Sequence, residues 1–428
     1  MGRTGALRVH ILWPIDPRRR PIWLVALWLG LAFRVYALLV LRNPMDVLFS
    51  DPARHWENAK SFLTPGAQGA SNPYLYQLYL FVVQRVTHES KLWIGLVTAV
   101  LSVSYPLLWY LFARSACRNR INALRFATLL CWLPSHISIF SFFMNETLIL
   151  PLTGLALWLT QRTLRTGSPG SFVGTATAWT LGVLTRSVVG PVGLVCVAAS
   201  WFRVRAGRLI ALAIAGAITA ALVAAASIHA HVVLKRYTPF GDNSVVAIYF
   251  VSGAREYTIN VKGYGQYVFS SPSLYNSPFK PFADFKSIRE GIVPVTLDPE
   301  LHGDDVRITL RNQTERNLKK LPRLVFENVV YFSFGHPWPT AGAINDRADV
   351  ICLHARWIWA PLIVLSFLGS VLYIARRGVA FVPLLAIGFI FTCYVLGQMT
   401  IMEGRYRMPL EPVVLLVPIW LWDSRRRA

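Results

Sequence analysis

Residues 21–41 read PIWLVALWLGLAFRVYALLVL, and this apolar run decides the fold class. A helix rises about 1.5 Å per residue, so roughly 20 apolar residues cross a hydrocarbon core of about 30 Å. The run therefore predicts a first transmembrane helix, preceded by Arg18, Arg19 and Arg20 and followed by residues 49–59, FSDPARHWENA. Because a secretory h-region is shorter, we expect a retained helix and not a cleaved signal.

Composition places the chain among polytopic membrane proteins. Of its 428 residues, 54% are apolar or aromatic and 15% are charged, and the mean hydropathy is +0.44. A soluble domain would carry about a quarter charged residues. The net charge of +22 arises from short basic clusters between apolar runs, which is typical of the positive-inside bias. No basic face on a soluble domain is visible, so we expect membrane lipids and no nucleic acid as partners.

Ten apolar runs predict an all-α protein with about ten transmembrane helices. The N-terminal module, residues 1–231, would hold seven of them and the C-terminal module, residues 355–428, three. An extracytoplasmic loop domain, residues 232–354, would separate the modules. The runs lie near 21–41, 91–113, 121–142, 146–163, 171–186, 187–203, 208–231, 355–374, 378–399 and 407–423.

The loop charges predict the orientation of these spans. If the ten runs alternate, every arginine cluster falls on one side, and that side is the cytoplasm. We therefore expect a multi-pass protein of the plasma (inner) membrane with both termini cytoplasmic. The outer, periplasmic or extracytoplasmic, face would then carry Asp51, Glu146, Arg186, loop 232–354 and the segment 403–405.

Two outer segments are predicted to be more than simple loops. The first outer loop comprises residues 42–90. Its segment 52–63 is apolar on one face, and its segment 73–86 is apolar but too short to span the membrane. Both features are typical of interfacial helices. Loop 232–354 carries 14 Lys and Arg and 12 Asp and Glu, so it is nearly neutral. Its turn signals, including Lys262-Gly263-Tyr264-Gly265, predict a small outer domain, and 305–330 is predicted helical.

The cysteines do not indicate a metal site or a disulfide framework. The chain has five of them and no CxxC spacing. No cofactor is required by any pattern in the sequence, and a divalent metal is possible without a motif that supports it.

Asp51 is the first candidate for chemistry. It stands before Pro52 at the start of a predicted helix, so its carboxylate could cap that helix. The same carboxylate lies just beyond a membrane span, where it could act as a general base toward a hydroxyl group. The two roles are compatible.

Three further charged residues lie at or within apolar runs. Glu146 opens the fourth run on the outer side, where the helix dipole favours a carboxylate and where it could also orient an acceptor or hold a cation. Arg186 lies between two apolar runs, and Arg34 lies inside the first. A charge in such a position is either functional or snorkels to the headgroups.

The segment 403–412, EGRYRMPLEP, opens the last run. Positive charge on the outer side runs against the inside bias, so Arg405 and Arg407, flanking Tyr406, are candidates to grip a phosphate. The alternative is an interfacial anchor paired with Glu403. For His136 and His336 we expect packed, hydrogen-bonded side chains.

Several of these stretches together resemble membrane glycosyltransferases of the GT-C fold, in particular the bacterial group related to protein O-mannosyltransferases and aminoarabinose transferases. The resemblance covers the first six spans in order and the last two, and leaves loop 232–354 unmatched. His55 stands where that group usually has tyrosine. The matching stretches are Asp51-x-x-x-His55-x-x-x-Ala59, Asn72-Pro73-Tyr74-Leu75-Tyr76, Asn145-Glu146, Leu184-Thr185-Arg186 and Arg405-Tyr406-Arg407-Met408-Pro409.

The resemblance implies an inverting transferase that moves a sugar from a polyprenyl-phosphate donor to a glycan, lipid or protein acceptor. Asp51 would be the general base, and Arg405, Arg407 and Arg186 would hold the donor phosphate. Glu146, His55 and Tyr406 would contact the acceptor or support the site. Two alternatives stay open, a polymerase or ligase acting on lipid-linked glycans and a transporter or flippase of lipid-linked sugars.

Overall fold

A computed structural model describes about two thirds of the chain. The described residues are 20–48, 50–65, 73–234, 237, 256–261, 265–270, 295–297, 356–391, 407–409 and 411–425. Predictions for Arg405, Tyr406, His336 and the helix at 305–330 fall outside them.

The described part is predominantly helical, with thirteen α-helices among these residues. Short π or 3-10 turns occur at Ala37–Leu41, Pro44–Asp46, Ile139–Ser141 and Ser187–Val189. The helices are α1 (Arg20–Tyr36), α2 (Ser50–Lys60), α3 (Tyr74–Thr87), α4 (Lys91–Ala116), α5 (Arg120–Trp132), α6 (Pro134–Ser138), α7 (Glu146–Thr166), α8 (Pro169–Thr185), α9 (Gly190–Trp201), α10 (Arg208–Leu234), α11 (Arg356–Arg377), α12 (Phe381–Phe391) and α13 (Glu411–Arg425).

Four of the described helical stretches are long and apolar enough to cross a membrane. A fifth crossing is obtained if α5 and the following stretch, which meet at an angle of 65°, form one bent span. The ten spans predicted from hydropathy are therefore not reproduced in the described residues, where α8 has 17 residues and α12 has 11. The four stretches are Pro21–Asp46, Lys91–Ala116, Arg208–Val233 and Trp357–Arg377.

Helix α4 lies at the centre of the bundle. It packs against α1, α5 and α7, and α8 packs on the far side of α7. The C-terminal helix α13 returns to contact both α4 and α5, so the two ends of the chain share one core. That core is rich in fully buried aromatic side chains, among them Trp109, Phe112 and Phe126.

Arg34 supplies a hydrogen-bond donor where α4 is interrupted by a proline. Pro106 has no N–H, so it leaves the carbonyl of Ser102, four residues earlier, without its usual helical donor. The fully buried Arg34 guanidinium donates to this carbonyl at 3.4 Å and to the Leu130 carbonyl near the end of α5 at 2.9 Å. It also donates to the carbonyls of Cys131 and His136 at 3.0 Å and 2.9 Å. Arg34 therefore does not snorkel to the headgroups.

Gly154 allows the closest approach between α4 and α7. A Cβ atom there would lie 2.7 Å from Cδ1 of Trp109, whose ring is buried and whose Nε1 donates to the Leu150 carbonyl at 2.9 Å. The ring therefore has little freedom to move aside.

Gly154→Ala is accordingly expected to lower the free energy of unfolding by about 1–3 kcal/mol, the cost of overpacking a filled core. The measurement is denaturant-induced unfolding of the protein in detergent micelles. Gly216→Ala in α10 is the matched control, because a Cβ there meets no atom within 4 Å. Equal stability of the two variants would contradict the predicted packing.

The segment 232–354 contains a small sheet that the all-helical expectation did not include. Strand β1 (Glu256–Val261) pairs antiparallel with β2 (Gly265–Ser270), and Val261 lies opposite Gly265. Strand β3 (Val295–Leu297) runs parallel to β1 on its other edge. Residues 262–264 of the predicted turn lie outside the described residues.

Candidate functional site

Helix α2 is amphipathic, as its sequence predicts. Trp56, Ala59 and Phe62 are buried on one side, while the charged residues Arg54, Glu57 and Lys60 are exposed on the other. The helix is short and polar on average, so tertiary contacts of its apolar face must hold it in place.

Asp51 lies in the first turn of α2. The helix begins at Ser50, one residue earlier than the cap position predicted for Asp51, and negative charge is favoured there by the helix dipole. Its side chain is 24% exposed and forms an ion pair with Arg54, which is 53% exposed, with 2.9 Å between Asp51 Oδ1 and Arg54 Nη2. An exposed pair of this kind is weak, so Arg54 can yield to a substrate.

His55, one turn beyond Asp51, points into the protein. Its ring is buried and lies edge-on to Tyr76 of α3 with 5.3 Å between ring centroids. Its Nδ1 is 3.0 Å from Nε2 of Gln77. An amide N–H can only donate, so Nδ1 accepts this hydrogen bond. His55 therefore fixes α2 against α3.

Trp56 fixes α2 against the entry to α7. Its ring stacks on Phe143 at 4.4 Å between centroids, and its carbonyl accepts a hydrogen bond from Gln84 Nε2 at 2.7 Å. Phe143 is three residues before Glu146. The helix that carries Asp51 is thus anchored beside the start of the helix that carries Glu146.

Glu146 and Arg186 form a buried ion pair. Their side chains are 1% and 8% exposed, and Arg186 Nη1 donates to Glu146 Oε1. Glu146 begins α7 and Arg186 directly follows α8, so the pair joins two helix ends. Arg186 is therefore paired inside the protein and does not snorkel.

The second oxygen of Glu146, Oε2, is buried and has no hydrogen-bond partner among the described residues. A buried carboxylate oxygen normally has a donor. This oxygen can therefore accept a hydroxyl or N–H group without breaking an existing hydrogen bond.

Tyr76, which is edge-on to His55, is the third buried polar side chain in this region. Burial, then the neighbouring Tyr79 and then the negative charge of Glu146 raise the pKa of Tyr76 well above its ordinary value. The phenol therefore stays protonated at any physiological pH and can serve as a donor.

Arg407 lies in a second polar cluster. It is fully buried, and its Nε donates to Glu411 Oε1 at 2.8 Å. The other oxygen of Glu411 is 2.5 Å from His136 Nε2, and the His136 Nδ1 is bonded to the Tyr105 hydroxyl. His136 is thus packed and hydrogen-bonded, as expected. Arg407 pairs with the carboxylate of Glu411, the first residue of α13.

Glu411 and Tyr105 were not singled out from the sequence. Arg407 and Glu411 are only four positions apart in the sequence, so their proximity could have been expected. The spacing of 275 residues between His136 and Glu411 offers no such signal.

The structure therefore brings some of the predicted residues together. Glu146 and Arg186 are in contact, and Asp51 and His55 share a helix that is anchored next to them. Arg407 keeps its own buried partners. Among the residues with described positions, no three His, Cys, Asp or Glu side chains group closely enough to hold a metal ion.

Comparison with known proteins does not assign this chain to a family. No protein-family model matches the chain, and no curated protein matches it.

Proposed function

We propose that this protein is an integral membrane glycosyltransferase with a GT-C-like arrangement of helices. It transfers a sugar from a polyprenyl-phosphate donor to an acceptor hydroxyl at the outer face of the plasma membrane. One observation carries the proposal. The Asp51 carboxylate is partly exposed, while the other face of its helix is anchored by Trp56 and His55.

Such an anchored, accessible carboxylate suits general-base catalysis. Asp51 takes the proton from the acceptor hydroxyl as that oxygen attacks the anomeric carbon. The bond between this carbon and the phosphate oxygen breaks, and its electron pair leaves with the polyprenyl phosphate. Attack from the face opposite the phosphate inverts the configuration of the anomeric carbon. A rigid support for Asp51 matters because small displacements of a catalytic group are costly.

The departing phosphate needs cations, and arginines can contact two of its oxygens at once. In this proposal Arg405 makes the main contact, with support from Arg407 and Arg186. Arg186 is already neutralised by Glu146 and Arg407 by Glu411, so these two pairs orient the site more than they bind the donor.

The direct test uses purified protein in lipid nanodiscs, supplied with a lipid extract that contains polyprenyl-phosphate sugars and with glycan, lipid and peptide acceptors. Mass spectrometry should detect a glycosylated acceptor together with the free polyprenyl phosphate. Movement of the lipid-linked sugar across a bilayer without any change in its mass would instead support a flippase and overturn the proposal.

Arg405→Ala is expected to raise the KM for the lipid donor about 10–150-fold, the loss of one charge-assisted hydrogen-bonding group worth about 1.5–3 kcal/mol. The effect on kcat should be smaller. The measurement is initial transfer rate against donor concentration in nanodiscs. Arg162→Ala is the control, because Arg162 is an exposed arginine near the C-terminal end of α7. An unchanged KM would remove Arg405 from the donor site.

Variants of the Glu146–Arg186 pair can distinguish a loss of stability from a loss of transfer activity. Glu146→Leu alone should lower the free energy of unfolding by about 3–5 kcal/mol, because it removes the carboxylate that neutralises a buried guanidinium. Adding Arg186→Met removes that charge and should restore most of the stability. The double variant should still transfer sugar poorly if the pair orients the site. Full activity in a stable double variant would show that the pair is structural alone.

A further inference from the structure

The cytoplasmic ends predicted for α11 and α13 enclose a cavity of about 250 Å³. Its polar lining includes Arg376 and Arg377 from the last turn of α11, Tyr373 one turn earlier and Ser424 from α13. Leu372 and Leu421 form part of its apolar wall. This region is remote in sequence from Asp51, and the proposed transfer reaction does not use it.

The polar lining of this cavity is positively charged. Arg376 and Arg377 are exposed, and neither makes an ion pair with any residue whose position is described. The nearby acid, Asp423, is turned elsewhere. Its carboxylate accepts hydrogen bonds from the backbone N–H of Arg118 at 2.6 Å and from Asn122 Nδ2 at 3.0 Å.

The helix ends account for part of this arrangement. Arginines in the last turn of a helix interact favourably with its dipole, which gives Arg376 and Arg377 a reason to be there. That effect does not require a cavity with a tyrosine and a serine in its lining. The cavity is also kept in shape by close packing, because a Cβ on Gly369 would lie 2.8 Å from Leu421.

An exposed apolar strip leads from the middle of α11 to the cavity. Leu365, Leu368 and Leu372 are 64%, 50% and 53% exposed. Their spacing of three and four residues puts them on one face of the helix, in line with Arg376. A ligand that fits both parts has a negatively charged head for the arginines and a hydrocarbon tail for the leucines.

We propose that this cavity binds the headgroup phosphate of an anionic phospholipid from the cytoplasmic leaflet, with an acyl chain lying along Leu365, Leu368 and Leu372. Two arginines can contact a phosphate through paired N–H groups, and basic pockets between helices on this side of a membrane favour anionic lipids. The leucine strip distinguishes a lipid from free phosphate, which has no apolar part to bury. The lipid would stabilise the junction of α11 and α13.

Native mass spectrometry of the full-length protein, titrated with phosphatidylglycerol and separately with phosphatidylcholine, tests this site. Wild-type protein should retain phosphatidylglycerol preferentially. Arg376→Gln combined with Arg377→Gln should weaken its binding about 30-fold, because each surface arginine contributes about 1 kcal/mol, or about fivefold. Arg162→Gln combined with Arg165→Gln, an exposed pair in the last turns of α7, removes the same charge and should leave binding unchanged.

A charge-preserving variant provides the second arm. Ser424→Phe should fill the cavity and lower phosphatidylglycerol binding while both arginines remain. An equal loss of phosphatidylglycerol binding in the Arg162/Arg165 control would show general charge attraction and overturn the proposed site. Full binding by Ser424→Phe would show that the cavity is not occupied and would also overturn it. Displacement by glycerol 3-phosphate at the same concentration as the lipid would show a site for free anions and would also overturn it.

Discussion

Asp51→Asn is expected to lower the rate of sugar transfer by about 10²–10⁴-fold, the usual contribution of a positioned general base. Asparagine has nearly the same shape as aspartate but cannot take the proton from the acceptor hydroxyl. Donor binding should change little, because the proposed phosphate contacts lie elsewhere. The measurement is single-turnover transfer in nanodiscs together with a separate donor-binding titration.

The fold should tolerate this change. Asp51 is 24% exposed and forms an ion pair with an exposed arginine, which is a weak interaction. Asparagine keeps the size of the side chain and one acceptor oxygen, so the loss of stability should be small. Glu57→Gln is the matched control, since Glu57 is an exposed acid on the same helix and pairs with Lys60 at 3.1 Å. Transfer at the wild-type rate by Asp51→Asn would remove Asp51 as the base. Equal loss in Glu57→Gln would point to the charge of α2 in general.

Arg34→Met is expected to be the most destabilising single change. Methionine fills much of the volume but leaves the Ser102 carbonyl without the donor that replaces the missing N–H of Pro106. It also removes the Arg34 hydrogen bonds to the carbonyls of Leu130, Cys131 and His136. At about 1–3 kcal/mol for the unsatisfied carbonyl and about 0.5–1.5 kcal/mol for each of the other lost hydrogen bonds, the free energy of unfolding should fall by about 3–7 kcal/mol. Reduced yield of monodisperse protein and a lower unfolding midpoint in detergent would be the readouts.

Two comparisons make this result specific. Arg34→Lys keeps the charge but cannot reproduce a planar fork of donors, so it should rescue the protein only in part. Arg162→Met removes an exposed arginine that lies over the Trp158 ring at 5.7 Å and should have a small effect. A stable Arg34→Met protein would contradict the proposed role of Arg34 at the Pro106 break.

The local structure around Asp51 was accessible from the sequence. Helices were predicted at 52–63 and 73–86, and α2 and α3 occupy Ser50–Lys60 and Tyr74–Thr87. The buried and exposed faces of α2 also follow its sequence pattern. These features depend on residues three or four positions apart, and such periodicity can be read directly from the chain.

The number of membrane crossings was less accessible. Hydropathy marks apolar stretches but does not show where a helix stops or bends. Pro134 illustrates the difficulty, because the run 121–142 predicts one span and the structure has two helical stretches at 65°. Likewise, α8 ends at Thr185 and a 3-10 turn at Ser187–Val189 intervenes before α9.

The amino-acid sequence by itself determined that this is a predominantly helical protein with helices apolar enough to cross a membrane and with an amphipathic segment after the first of them, because composition and short-range periodicity are properties of neighbouring residues. Only the tertiary structure decided which charges are partners. Glu146 pairs with Arg186 across 40 positions, and the acceptors of Arg34 lie 68 to 102 positions away. Such pairings depend on how helices pack, and burial then forces each charge to find a partner within reach.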